Sequence, residues 1–122
     1  MLGEDAVSDK FSSIQNYNII TDTVEYINNH YQEPLNERML AERVHLSVSY
    51  FSRLFIEFYG IGLRSYLRRV RLNAALELIK AENEHINVLD AAFACGFTSA
   101  SGFYKTLHEL TGSSSCRQNG KN

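Results

Sequence analysis

Cysteine is scarce in this chain of 122 residues: Cys95 and Cys116 are the only two. That is too few for a disulfide framework or a four-cysteine zinc site, and a reducing cytoplasm is the default location. A single proline excludes a proline-rich linker architecture, and seven glycines exclude a low-complexity or collagen-like chain. No apolar run approaches the roughly 18 residues of a membrane span, so no membrane partner is expected. The N-terminal MLGEDAVSDKFSS is acidic and lacks the basic-then-apolar order of a secretory signal. The four histidines (His30, His45, His85 and His108) are scattered and do not pair at ligand spacing. There is no Ser-His-Asp arrangement, phosphate loop, metal cluster or carboxylate pair, and the chain is short for a catalytic cleft. No enzyme, cofactor or metal site is expected.

What is present is an ordinary globular composition, 44% hydrophobic and 21% charged. A chain of this length buries roughly two-thirds of its unfolded surface without staples. The formal net charge of −2 hides an asymmetry. Residues 1–34 carry one lysine, Lys10, against six acids, and residues 35–82 carry eight Lys/Arg against five. Between Arg53 and Arg71 five arginines face one acid, Glu57. A local basic stripe of this kind binds phosphate backbones even on a neutral protein. It is equally the composition of a solvated helix face, and charge alone does not choose.

Strand signals are nearly absent, whereas helical periodicity recurs throughout. Thr21 or Asp22 caps a first helix that places Val24, Ile27 and Tyr31 on one face and stops before Pro34. Asn36 caps a short helix, Glu37 to Arg43, that buries Leu40 and Ala41. After a break at Val44-His45-Leu46, Ser47 caps a helix to Tyr59 with Phe51, Leu54, Phe55 and Phe58 at i, i+3, i+4, i+7. Gly60 ends it from the C′ position. A long helix follows from Leu63 to Ala81, with Tyr66, Leu67, Val70, Leu72, Ala74, Ala75, Leu78 and Ile79 as its apolar stripe. Asn87 then caps Val88 to Ala94. After Cys95-Gly96-Phe97, Thr98 or Ser99 caps a last helix to Leu110, closed by Gly112. Residues 1–17 and 113–122 are poor in apolar residues at any period and read as tails.

The two ends of this pattern are copies of each other. LAERVHLSVSYFSRLFIEFYG (40–60) lies over AAFACGFTSASGFYKTLHELTG (91–112). Ala41 matches Ala92 and Leu46 matches Phe97. After one inserted residue Phe51 matches Phe103, Arg53 matches Lys105 and Gly60 matches Gly112. Each copy is a short helix, a tight turn and a longer helix, a helix-turn-helix. The expected fold is all-α: two helix-turn-helix subdomains, homeodomain-like three-helix units, joined by a long linker helix. The expected division is a flexible acidic segment over 1–19, a first subdomain over 20–62, the linker over 63–82, a second subdomain over 83–112 and a polar tail over 113–122.

Such a unit buries the inner faces of both helices and leaves the outer face of the second one free. Small alanines at 41 and 92 let the helices cross closely, and Leu46 and Phe97 plug the turns. The outward positions in the first copy are Ser49, Tyr50, Ser52 and Arg53; in the second they are Ser101, Gly102, Tyr104 and Lys105. Arg and Lys donate to guanine O6 and N7, and Ser reads either a donor or an acceptor. Ser47, Thr98 and Ser99 at the helix N-termini suit phosphate oxygens, and Arg64 and Arg68 flank the linker as phosphate candidates. A single helix-turn-helix also occurs as a plain packed hairpin. Two of them on one linker favour DNA: its 19 residues span about 29 Å, against roughly 34–36 Å between successive major-groove faces. Residues 48–59 and 99–110 would then read two adjacent major-groove segments. The copies differ, so the expected site is asymmetric. The Phe/Tyr set at 51, 55, 58, 59 and 66 has helical spacing and reads as core. Cys95, before the Gly-Phe turn, reads as a buried small hydrophobe.

Three blocks resemble the C-terminal DNA-binding domain of AraC/XylS-family transcription regulators. They are LAERVHLSVSYFSRLF (40–55), Gly60 with YLRRVRLNAALELI (66–79), and DAAFACGFTSASGFYKTL (90–107). The likeness covers about residues 20–112 and places the family's linker arginine at Arg71 and its alanine at Ala75. It implies sequence-specific promoter or operator binding by a bacterial regulator, usually an activator that contacts RNA polymerase. It also implies that this domain binds DNA as a monomer while a longer chain dimerises elsewhere. The family's base-contacting positions fall here on Ser49, Ser52, Arg53, Ser101, Gly102, Tyr104 and Lys105. The sequence departs from the pattern at Leu63, Ala91, Leu107 and Gly102, and after Gly112 it lacks the family's closing proline and aromatic. The first copy is therefore expected to dominate affinity. The alternative is a helical protein-interaction module that contacts RNA polymerase or another regulator without strong DNA binding of its own. Only about 20 residues precede the first expected helix; a short stand-alone regulator and a piece of a longer one both fit.

Overall fold

The computed structural model describes residues 2–82 and 85–112, with side chains from Ser12 onward. The described residues are all-helical: α1 (Leu2–His30), α2 (Glu37–Arg43), α3 (Val48–Tyr59), α4 (Leu63–Ala81), α5 (Val88–Ala94) and α6 (Ala100–Thr111). They divide into two compact units, residues 2–30 with 35–64, and residues 31–34 with 65–112.

The boundaries of α2, α3, α5 and α6 follow from caps and left-handed glycines. The Asn36 carboxamide oxygen accepts from Met39 N at 2.8 Å, Ser47 Oγ from Tyr50 N at 3.2 Å, and Ser99 Oγ from Gly102 N at 3.0 Å. Asn87 Oδ1 takes two amides, Leu89 N at 2.9 Å and Asp90 N at 3.2 Å. Each bond satisfies a donor that the first helical turn leaves without an intrahelical partner. Gly60 (φ 77°) and Gly112 (φ 73°) close α3 and α6, donating to the carbonyls of Ile56 and His108.

In the first unit α3 packs against both α1 and α2. Its core comprises Ile20, Ile27, Leu35, Leu40, Ala41, Phe51, Leu54, Phe55 and Leu63. Thr23 is buried with them, and its hydroxyl donates to Ile19 O at 2.9 Å, so it carries no unmet polar group into the core. The second unit is built on Leu72 and Ala75 of α4, Ala92 and Cys95 around α5, and Phe97 and Phe103, with Tyr31, Leu78, Leu89 and Leu107 packed around them. Phe97 and Phe103 meet edge to face with ring centroids 5.4 Å apart.

Four expectations need correction. α1 is not capped at Thr21 or Asp22; it starts at Leu2, and residues 2–20 belong to it. Inside a helix Thr21 donates back to the carbonyl of Tyr17, and Asp22 instead pairs with Arg43 at 2.7 Å. Phe58 and Tyr59 lie on the exposed end of α3 rather than in the core, at 40% and 42% exposure. Ser99, not Thr98, caps α6, which runs one residue further than expected, to Thr111. Gly102 is the third residue of α6, with its amide on the capping serine, so it lies in the first turn and not in the helix interior. The tail over 113–122 and Cys116 lie outside the described residues.

Candidate nucleic-acid interface

In each unit the turn before the last helix is set by one residue with positive φ. In the first it is His45 at 62°, in the second Gly96 at 109°. These positions correspond in the repeat. In both turns the plug residue's amide folds back on the short helix: Leu46 N donates to Ala41 O at 3.0 Å, and Phe97 N to Ala92 O at 3.1 Å. Ala41 and Ala92 are fully buried, as close helix crossing requires. The two units thus reproduce one local geometry from different residues.

Gly96 is under a further constraint. A Cβ there would lie 2.6 Å from both Arg71 Nε and Tyr31 O. The Arg71 guanidinium fills this space: Nε donates to Tyr31 O at 2.7 Å and a terminal nitrogen to Glu33 O at 2.7 Å. Partial burial pulls its pKa below the ordinary arginine value. The family-like linker arginine is therefore a structural tie that binds residues 31–34 to α4 beside the turn, rather than a group offered to solvent.

The outer face of α3 presents Ser49 and Arg53 to solvent, with Tyr50 half-buried between them. The Arg53 guanidinium lies over the Tyr50 ring, 5.3 Å from its centroid, and Asn16 of α1 donates to the Tyr50 hydroxyl at 3.2 Å. Arg53 thus stands on a ring that α1 holds in place. Ser52 differs from its neighbours. It is half-buried, and its hydroxyl donates to Glu37 Oε2 at 2.8 Å. Ser47 is exposed at the N-terminus of α3, and Arg64 is exposed on α4.

In the second unit Ser101, Tyr104 and Lys105 are exposed on α6, Gly102 is half-covered, and Thr98 and Ser99 are exposed before it. Tyr104 meets Phe103 edge-on at 5.1 Å. Arg68 is half-buried on α4, with Ser65 Oγ at 3.4 Å and Glu109 at 3.9 Å. The ion pair sits at the limit of contact and is partly solvated, so it adds little stability.

Sequence spacing puts the eight base-reading candidates on α3 and α6, where Ser49, Arg53, Ser101, Tyr104 and Lys105 are exposed and Tyr50, Ser52 and Gly102 are half-buried. It missed Asn16 and Glu37, which touch the α3 candidates from other helices. Neither carries a local signal, because such contacts depend on how the helices pack. Among the described residues no group of three His, Cys, Asp or Glu side chains is placed to hold a metal ion. Nor is any described helix long and apolar enough to cross a membrane.

The comparisons agree with this geometry. A helix-turn-helix domain family, HTH_18, matches residues 40–115. An uncharacterised HTH-type transcriptional regulator of Staphylococcus aureus (strain MSSA476) is 32% identical over 100 residues, 81% of this chain and 13% of that protein. The uncharacterised HTH-type transcriptional regulator YijO of Escherichia coli (strain K12) is 31% identical over 87 residues, 71% of this chain and 30% of that one. This chain therefore spans less than a third of the length of these relatives. A solved structure of a protein of unknown function from Listeria innocua superposes with a TM-score of 0.66 at 29% identity, covering 76% of this chain and 87% of that one. With three-fifths of its length inside the family match and the same turn built twice, the chain belongs to the AraC-type helix-turn-helix family of DNA-binding domains.

Proposed function

We propose that the chain binds duplex DNA sequence-specifically as part of a bacterial transcription regulator in the cytoplasm. In this reading α3 and α6 enter two adjacent major-groove segments, and the domain binds as a monomer to a site with unequal halves. Regulation is activation, through contact with RNA polymerase. The observation that carries the reading is the duplicated helix with a buried inner face, a serine cap and a polar outer face, Ser49-Tyr50-Arg53 in one unit and Ser101-Tyr104-Lys105 in the other. The relatives from Staphylococcus aureus and Escherichia coli, both named HTH-type transcriptional regulators, support the same reading. No residue of the proposal is assigned a catalytic role.

Selection of bound sequences from a random duplex pool, followed by titration of the selected site, tests it. Arg53→Ala is expected to lose about 1–3 kcal/mol and to relax preference at one base step. Lys105→Ala is expected to lose less and to act at the other half of the site. An Arg53→Ala variant that binds the selected duplex as well as the parent does would remove α3 from the groove.

A second reading has an observation of its own. Val88 and Phe93 of α5 are exposed at 41% and 46%, two apolar side chains open to a protein partner. Capture of RNA polymerase with no duplex shift at low salt would favour an interaction module over a DNA reader.

A further inference from the structure

The hydrogen bond between Ser52 and Glu37 fixes more than a rotamer. A serine hydroxyl has one proton to give and two lone pairs to offer, which is why it ordinarily reads either partner on a base edge. An ionised carboxylate only accepts. With 2.8 Å between Ser52 Oγ and Glu37 Oε2, the single Ser52 proton is committed to Glu37. What remains to face the groove is a pair of acceptor sites. The bond to a charged acceptor also outlasts competition: hydrogen bonds of this kind are roughly twice as strong as neutral ones.

The arrangement belongs to the first unit alone. In the repeat Ser52 corresponds to Tyr104 and Glu37 to Val88, so α6 has no equivalent of either partner. Glu37 is also the first residue of α2, where its charge is favoured by the helix N-terminus. The ionised form of its carboxylate is therefore favoured independently of Ser52.

We infer that Glu37 is a specificity-determining residue: by taking the Ser52 proton it makes that serine an acceptor-only reader. The base it selects offers an exocyclic amino group, adenine N6 or cytosine N4, and guanine or thymine at the same strand position is rejected. The inference rests on the proposal that α3 enters the major groove. Glu37 does so without touching the base; it acts through Ser52.

The test is a quantitative base-preference profile over a randomised duplex pool, with the parent chain, Ser52→Ala, Glu37→Ala and Glu37→Gln. The parent is expected to favour adenine or cytosine at one position by about fivefold, the size of one ordinary hydrogen bond. Ser52→Ala should flatten that position and no other. Glu37→Ala should flatten the same position, because the freed hydroxyl then both donates and accepts. Glu37→Gln, whose amide oxygen can take the same proton, should keep the preference. A measurement without any substitution in the protein guards against a misfolded variant. If adenine is selected, purine, which keeps N7 and lacks the 6-amino group, should weaken binding of the parent about fivefold and leave Ser52→Ala binding unchanged. If cytosine is selected, 2-pyrimidinone serves in the same way. Full binding to the amino-less analogue, or a parent preference for guanine or thymine there, overturns the inference. So does a Glu37→Ala profile that differs from the parent only by a uniform factor, the mark of a carboxylate that merely repels phosphate. These outcomes leave the groove reading intact. A pool with no enriched sequence at all would remove that reading and this inference with it.

Discussion

At the scale of single residues, two glycines with positive φ separate conformational cost from spatial cost. Gly60 has φ 77° and nothing within 4 Å of a built Cβ, whereas Gly96 has φ 109° and two atoms at 2.6 Å. Gly60→Ala should cost only the left-handed backbone term, about 1–2 kcal/mol. Gly96→Ala adds a collision with the Tyr31 carbonyl and the Arg71 guanidinium, and overpacking adds about 1–3 kcal/mol more. Urea midpoints of the two variants measure the difference; equal losses would mean that the Arg71 tie is not where the coordinates put it. His45 occupies the equivalent turn position with φ 62° and lies exposed, so the first unit accepts a side chain where the second accepts none. Cys95 gives a second test at this scale. It is 4% exposed, and burial pushes its thiol above the usual value of 9.0. A raised acid holds its proton longer when folded, so its contribution is intact below pH 9 and declines as pH climbs toward the folded value. In a Cys116→Ser background, iodoacetamide at pH 8 should label Cys95 slowly until urea unfolds the second unit. Rapid labelling of the native chain would contradict the burial.

At the scale of elements, caps explain why α2, α3 and α5 begin and end where spacing predicts. A short helix depends on its cap most. α5 has seven residues, and Asn87 satisfies two of its free amides. Asn87→Ala should destabilise the chain by about 1–2 kcal/mol, and Asn87→Ser should recover most of it. Amide exchange at Ala92–Ala94 should speed up in the alanine variant; unchanged exchange would show that tertiary packing alone holds α5. Where no cap or period exists, the sequence is mute. α1 was legible only from Thr21 onward, because Ile20, Thr23 and Ile27 make the buried contacts and residues 1–17 carry no comparable stripe. The helix over residues 12–17 touches α3 through the Asn16–Tyr50 hydrogen bond and the Tyr17–Phe58 ring contact, with Ile14 and Tyr17 well exposed. Phe58 failed for a different reason. It lies on the correct angular face of α3 but one turn beyond the core, where it meets Tyr17 at 6.2 Å between ring centroids. Periodicity gives direction around a helix, not how far along it the neighbour extends. Ser52 shows the same limit at the interface: 100° of rotation from Phe51 leaves it between core and solvent, and only the placement of Glu37 decides which way its hydroxyl turns.

At the scale of the whole chain, the opposing charge of its N-terminal and central segments makes a prediction that no single contact does. The net charge of −2 means that a distant duplex meets weak repulsion, and attraction begins only near the arginines from Arg53 to Arg71. Exposed charges act over a Debye length of about 10 Å at 0.1 M salt. From their charge in the sequence alone, Glu4, Asp5 and Asp9 are expected to affect approach to any polyanion rather than recognition of a sequence. Asp22 is different, since it is already paired with Arg43 at 2.7 Å. Replacing Glu4 with Gln, and Asp5 and Asp9 with Asn, raises the net charge by three. Association with selected and random duplexes should accelerate by the same factor, several-fold near 0.05 M salt, and the gain should vanish near 0.5 M as screening removes long-range steering. Stopped-flow association across a salt series reads this directly. A gain confined to the selected duplex, or one that survives high salt, would mean that the N-terminal part of α1 touches DNA itself. The acidic end would then belong to the interface instead of setting the field through which the duplex arrives.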